Sequence, residues 1–356
     1  MNAKLRVAVL FGGESGEHEV SIVSAQAVFA ALDGERYEVE SIGITRDGQW
    51  IVGPGAQAEL IARADQAQLP TSAGTAASGP ISVLGRIGSA DWRLPEADVY
   101  FPVMHGPHGE DGTLQGLLEL VGKPYVGCGV AASALGMDKA LMKAAFAAAG
   151  LPVLPWLMAW RSDWEHDPSA VLNRVEHELH YPVFVKPANM GSSVGVSKAR
   201  HRGELADAIA TAAGYDRRIV IEQGINAREI EVSVLGNSRP MASIPGEIIP
   251  AGEWYDYNAK YIDGGSQTVI PAALSAAVAA DVQQLAVRAF LAVDGAGLSR
   301  VDFLLDRDSG RLWLNEINTM PGFTPISMYP KLLAAGGMKY SELIDRLIEL
   351  ARERHG

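Results

Sequence analysis

The sequence predicts an α/β protein of several parts, and three features carry that reading. Lys4 to Ile44 runs strand, loop, helix, strand, a βαβ pattern that implies a parallel sheet with binding loops at the carboxyl ends of its strands. From Tyr181 to Ile249 short apolar runs follow one another with a single helical stretch among them. Near the end, Arg300–Leu305 and the run from Leu312 flank Asp306–Arg311, whose Asp, Ser and Gly content is that of a turn, so a β-hairpin is expected.

Bulk properties bound the problem. A chain of 356 residues has room for two or three domains, and 48% hydrophobic with 20% charged residues is ordinary for a globular protein. The net charge of −12 argues against a nucleic-acid or anionic-membrane partner, so neither is expected. Cys128 is the only cysteine, which precludes an intrachain disulfide, suits a reducing cytoplasm and reads as a buried thiol. The apolar run Val7–Phe11 is too short for an export signal core, and the uncharged stretch Ala144–Trp160 is broken by Gly150, Pro152 and Pro155. A soluble cytoplasmic protein is expected.

In order, the sequence predicts a buried strand over Lys4–Phe11, a loop at Gly12–Gly16, a helix over Val20–Leu32 and a strand over Tyr37–Ile44. Residues 67–80, rich in Ala, Ser, Thr, Gly and Pro, read as a surface excursion. Val99–Val103 is a short strand leading into His105–Gly112. A second unit begins near Gly127, with a helix over Met137–Ala149 stopped by Gly150 and Pro152. Strands follow at Tyr181–Lys186, Ile219–Gln223, Glu229–Leu235 and Met241–Ile249, with helices at 203–213, 275–293 and 340–354. Ala251–Ser266 is a long polar and aromatic loop, the length at which loops inside domains tend to be lids.

The hairpin holds the most suggestive chemistry. With its turn near Ser309, Asp302 lies across from Glu316, and strict alternation points Glu316 and Asn318 the same way, alongside Leu314. Facing carboxylates repel unless a cation lies between them, and an oxygen-only set of Asp, Glu and Asn suits Mg²⁺ or Mn²⁺. A solvated polar edge fits the pair equally well when it is read alone. The Gly191–Gly195 loop after Lys186 can wrap phosphate oxygens with backbone amides, or simply connect two strands. Lys139 alone reads as a solvated cation, and Glu222 and Glu229 as surface charge or as contacts for an adenine edge and ribose hydroxyls. Glu19, at the N-terminus of the first helix, gains from the helix dipole or helps cap it. His105 and His108 have no soft ligands beside them in sequence, which excludes a zinc site there.

Taken together, the motifs resemble the D-alanine–D-alanine ligase family of the ATP-grasp superfamily. The resemblance rests on Phe11–Ser21, His105–Gly116, Gly136–Lys139, Val185–Pro187 with Gly191–Gly195, Arg228–Val232, Tyr257–Tyr261, Arg300–Asp302 and Asn315–Gly322, occurring in the family's order. It implies an ATP-grasp fold in three parts: a Rossmann-like parallel α/β domain over 1–126 and two α+β lobes, 127–224 and 225–356, gripping ATP beneath a lid at 251–266. The implied reaction joins two D-alanine molecules through an acylphosphate, with ATP as substrate and two Mg²⁺ (or Mn²⁺) held by Asp302, Glu316 and Asn318. The product would serve peptidoglycan precursor synthesis.

By the same resemblance Lys139, Lys186, Ser193, Lys260 and Asn315 meet the nucleotide, Glu222, Gln223 and Ile225 its base, and Glu229 its ribose. Glu19 anchors the first substrate's ammonium, Ser192 and Tyr261 close the lid, and Arg300 with the Gly322 N–H receives the oxyanion. His105, Lys260, Ser327 and Met328 contact substrate, and a homodimer is implied. Tyr261, where D-lactate-using members look to have Phe, implies a dipeptide product. Another ATP-grasp carboxylate–amine ligase and a non-catalytic ATP-binding protein are the competing readings.

Overall fold

A computed structural model describes residues 3–65, 79–90, 92–250, 266–324 and 326–356. The surface excursion expected at 67–80 lies outside these residues except for its last two positions. The lid at 251–266 lies outside them except for Ser266.

Three sheets organise the chain. The first, in the order β4-β3-β2-β1-β5, comprises β1 (Leu5–Gly12), β2 (Tyr37–Ile44), β3 (Trp50–Val52), β4 (Ser82–Gly85) and β5 (Val99–Pro102). Its centre is parallel as expected, β1 pairing with both β2 and β5, while β3 and β4 add an antiparallel edge that the βαβ pattern did not announce. Val7, Val9 and Phe11 alternate with Ala8 and Leu10, and all five are fully or almost fully buried, which a strand needs when both faces of its sheet are covered. Helix α1 (His18–Ala31) covers one face, and α2 (Ala56–Asp65) and α3 (Thr113–Val121) complete the segment.

The helix expected over Met137–Ala149 is α5 (Lys139–Ala148), and a further helix that was not expected, α4 (Val130–Met137), precedes it. Asp138 breaks them, because its side chain accepts the Ala140 and Leu141 amides and restarts the helix as an N-cap. Both helices precede the second sheet in sequence yet pack on the third: Ala132, Met142 and Phe146 share a core with Ile230, Val232, Phe290 and Val301.

The second sheet is antiparallel, ordered β6-β9-β7-β8, from β6 (Trp156–Trp160), β7 (Val183–Pro187), β8 (Ser197–Ala199) and β9 (Arg218–Gln223). Helices α6 (Arg161–His166), α7 (Pro168–Glu178) and α8 (Arg202–Tyr215) accompany it, and Val175, Leu205 and Ile209 close a core made of this segment alone.

The third sheet, β13-β12-β10-β14-β15 with β11 on β10, is antiparallel. It comprises β10 (Ala227–Gly236), β11 (Met241–Ala242), β12 (Gly246–Ile249), β13 (Gln267–Val269), β14 (Gly297–Asp306) and β15 (Leu312–Asn318). The strand expected over Met241–Ile249 is therefore two, separated by a segment that contains Pro245. Helix α9 (Ala276–Ala292) covers one face, and α10 (Met328–Ala335) follows the hairpin. The last helix, α11 (Tyr340–His355), returns to the first sheet, its Leu343, Leu347 and Ile348 sharing a core with Val7 and Val9.

Candidate active site

The hairpin geometry matches the expected register with one correction. Asp302 pairs with Glu316 and Arg300 with Asn318, but a bulge at Asp302/Phe303 sets Phe303 opposite Leu314 and leaves Asn315 as the extra residue. The bulge turns Leu314 over. Leu314 is fully buried with Phe303 and Ile317 on the core side, whereas Asn315, Glu316 and Asn318 border a cavity on the other. Strict alternation had placed Leu314 beside Glu316; the inserted residue reverses the parity.

On the cavity side the carboxylates form a row across three strands. Glu231 on β10 lies opposite Asp302 on β14, which lies opposite Glu316 on β15. Adjacent strands sit about 4.8 Å apart, so like charges this close require counter-charge. Arg300 supplies part of it: its Nε and Nη2 donate to the two oxygens of Asp302 at 2.7 and 2.6 Å, and its Nε lies 3.2 Å from Glu231 Oε2. Burial disfavours the guanidinium's charge, yet Asp302 and Glu231 outweigh it and hold Arg300 firmly protonated. Asn318 Nδ2 donates to Asp302 Oδ2 at 3.1 Å. Among the described residues no three His, Cys, Asp or Glu side chains gather into a metal cage. Mg²⁺ needs none, since it is commonly held by one or two carboxylates and by phosphate oxygens. The Asp302, Glu316 and Asn318 set fits that demand.

The same cavity, about 970 Å³, reaches between the second and third sheets and up to the first. Of the expected nucleotide residues, Lys139, Lys186, Ser193, Glu222, Gln223, Ile225, Glu229 and Asn315 all border it. Lys139 Nζ donates to the Met190 carbonyl at 2.5 Å, tethering the small-residue loop in which Ser192 and Ser193 adopt left-handed φ of 49° and 60°. Gln223 spends its side chain on structure, exchanging hydrogen bonds with the His180 backbone at 2.9 and 2.7 Å.

Glu222 is buried, and each of its oxygens accepts from an ammonium: Oε2 from Lys186 at 2.6 Å, Oε1 from Lys143. Burial alone would raise this carboxyl, but the two lysines overcome it and hold it down at about 2. Lys143 was not anticipated from sequence. Its only signal is position, four residues after Lys139 on what proves to be one helix.

Substrate-side residues divide less as expected. The Ser192 hydroxyl donates to Glu17, while Glu19 is buried against Arg46. Both glutamates border the cavity, Glu17 at the N-cap of α1 and Glu19 in its first turn. The structure thus sets Glu17, not Glu19, against Ser192. Glu17 precedes α1 and makes no side-chain cap there, a residue type seldom found at an N-cap, and that mismatch was the available clue.

Near it Glu110 accepts from the Gly106 N–H at 2.9 Å; burial, then the Glu17 charge, push its carboxyl up to about 8. His105 is buried between the Met320 carbonyl, 3.1 Å from Nδ1, and Ser24, and burial lowers its pKa against the Glu17 charge. Ser327 Oγ lies 2.7 Å from Thr324 Oγ1 and borders the cavity beside Gly322. Met328 is buried with Ile248 and Leu332 and reaches the cavity from that core. Lys260 and Tyr261 lie outside the described residues.

Comparison with known proteins fits this geometry. Residues 6–128 match the family described as "D-ala D-ala ligase N-terminus" and residues 145–349 that described as "D-ala D-ala ligase C-terminus". The chain belongs to the D-alanine–D-alanine ligase family. A D-alanine–D-alanine ligase of Heliobacterium modesticaldum is 53% identical over 99% of this chain and 96% of its own length. Another from Chloroherpeton thalassium is 49% identical over 100% of this chain and 98% of its own. Among solved structures, the D-alanine–D-alanine ligase of Coxiella burnetii superposes with a TM-score of 0.82 at 38% identity, covering 99% of this chain and 95% of that one. The D-Ala:D-Ser ligase VanG of Enterococcus faecalis reaches 0.83 at 35% identity over 98% and 100%. The ATP-grasp architecture expected from the motifs is that of these neighbours. Among the described residues no helix is long and apolar enough to cross a membrane.

Proposed function

We propose that this chain joins two D-alanine molecules into D-alanyl-D-alanine, converting ATP to ADP and phosphate. The supporting observation is that one cavity is bordered at once by Lys139 and Lys186, by the Asp302–Glu316 pair and by Glu17 with Ser192. Cations for a polyphosphate, oxygens for its counter-ion and a carboxylate for an ammonium are what this chemistry requires.

The carboxylate of the first D-alanine attacks the γ-phosphorus, and ADP leaves. Two anions must approach for that step, so Lys139 and Lys186 offset their repulsion. Asp302, Glu316 and Asn318 would hold Mg²⁺ or Mn²⁺, which when bound supplies the remaining neutralisation of the phosphate oxygens. Glu17, held by Ser192, is the carboxylate placed to take the first substrate's ammonium. The amine of the second D-alanine then attacks the acylphosphate carbonyl. Arg300 and the Gly322 N–H receive the oxyanion that develops, a contact typically worth about 3–4 kcal/mol. Phosphate leaves as the amide forms. Water would destroy the acylphosphate, which gives closure of the site a chemical purpose. Homodimeric assembly, a cytoplasmic setting and a role in peptidoglycan precursor supply belong to the same proposal.

Phosphate release from ATP tests it. Release should depend on both D-alanine and Mg²⁺ and should yield the dipeptide. Equal release without an amino acid, or with L-alanine in its place, refutes the reading, and faster turnover with D-serine or D-lactate as second substrate would reassign the product.

A further inference from the structure

Behind the cavity wall two ammonium groups share one carboxylate. The Lys143 side chain is 1% exposed and does not border the cavity; Glu222 is 3% and Lys186 15% exposed, and both do border it. Three buried charges sum to +1, an unusual arrangement, since a one-to-one pair would satisfy Glu222 and spare the desolvation of a second lysine. Burial depresses Lys143; Glu222 is the main group favouring its ammonium form, opposed by the adjacent Lys186 charge and aided by Glu316. The cost needs a reason. A lysine that touches no ligand can still act on one, because a charge in a poorly solvated wall is felt several ångströms away.

We propose that Lys143 is a positioning residue for the nucleotide: by neutralising Glu222 from behind, it leaves the charge of Lys186 available to the polyphosphate. Without Lys143, Lys186 and Glu222 form a neutral pair, and with Glu316 and Glu229 also drawing on Lys186, less of its charge is left for the phosphates. The inference rests on the proposed ATP site. It adds that affinity for the phosphates, rather than for the base, depends on a residue outside the cavity.

The test is binding of ATP, ADP and adenosine, measured by calorimetry with Mg²⁺ and without D-alanine, to the intact protein and two variants. Lys143→Met should weaken ATP on the order of tenfold and ADP by less, and should leave adenosine within about twofold. The double variant Lys143→Met/Glu222→Gln carries the same net charge as the natural trio and buries no unpaired carboxylate. Its ratio of ATP to adenosine affinity should return to that of the natural protein. An unchanged ratio in Lys143→Met overturns the inference, as does equal weakening of all three ligands, which marks a purely structural role. Should the single variant fail to fold, a double variant whose ratio stays low overturns it equally. If the natural protein binds neither nucleotide, the proposed function fails instead.

Discussion

Replacing Arg300 with Met removes the guanidinium that sits among Asp302, Glu231 and Glu316 while keeping most of the side-chain volume. In the natural protein that group makes two hydrogen bonds to Asp302 at 2.7 and 2.6 Å and lies 3.2 Å from Glu231. Breaking a buried pair by deleting one partner typically costs about 3–5 kcal/mol. The Arg300 side chain is 18% exposed, so water recovers part of the loss, and about 3 kcal/mol is the better figure. For a chain of this size that is roughly 5 °C in melting temperature. The same deletion leaves the carboxylate row short of positive charge, so the variant should gain more from millimolar Mg²⁺ than the natural protein does, by mass action on the folded state. Thermal unfolding with and without Mg²⁺ reads both effects. The reasoning is refuted if the variant melts with the natural protein in metal-free buffer, or if Mg²⁺ raises both by the same amount.

Two further outcomes are expected. Glu17→Gln should lower kcat/KM for D-alanine on the order of 100-fold with nucleotide affinity little changed, whereas Glu19→Gln should do markedly less; steady-state kinetics on the pair distinguishes them. Glu110, held up at about 8 against an ordinary 4.5, binds its proton more tightly folded than unfolded; that stabilisation is complete below pH 4.5 and is lost as pH rises through 8. Glu110→Gln should therefore flatten the decline in urea-unfolding free energy between those pH values by up to ~5 kcal/mol, and a decline as steep as that of the natural protein would contradict the shift.

Much of the fold was legible because the relevant signals are local. The βαβ opening, the hairpin around Ser309 and the terminal helices are written in apolar periodicity and turn residues within short windows. The antiparallel edge of β3 and β4 was not, since both strands are short and their pairing is set by distant neighbours. Nor was α4, which ends where Asp138 caps the helix that was expected.

In the site, Asp302 and Glu316 could be placed opposite each other by counting from the turn, but the bulge at Asn315 could not be seen, because one inserted residue has no compositional mark. Glu17 and Glu19 show the same limit on a helix end: motif likeness pointed to Glu19, whereas it is Glu17 that meets Ser192. Lys143 escaped because a buried lysine and a solvated one look alike until packing is known.

The chain's last helix closes over its first sheet and shares a core with Leu235 and Leu298 of the third. First and third sheets are thereby welded into one slab that carries Glu17, Arg300 and the carboxylate row. The second sheet has its main core to itself, meets the slab where Ala140 of α5 packs on Ala188 and Val220, and brings Lys186, Ser192 and Glu222 on a plate of its own. Relative travel of plate against slab would open and shut the jaws on the nucleotide while the acid residues and Arg300 stay in register.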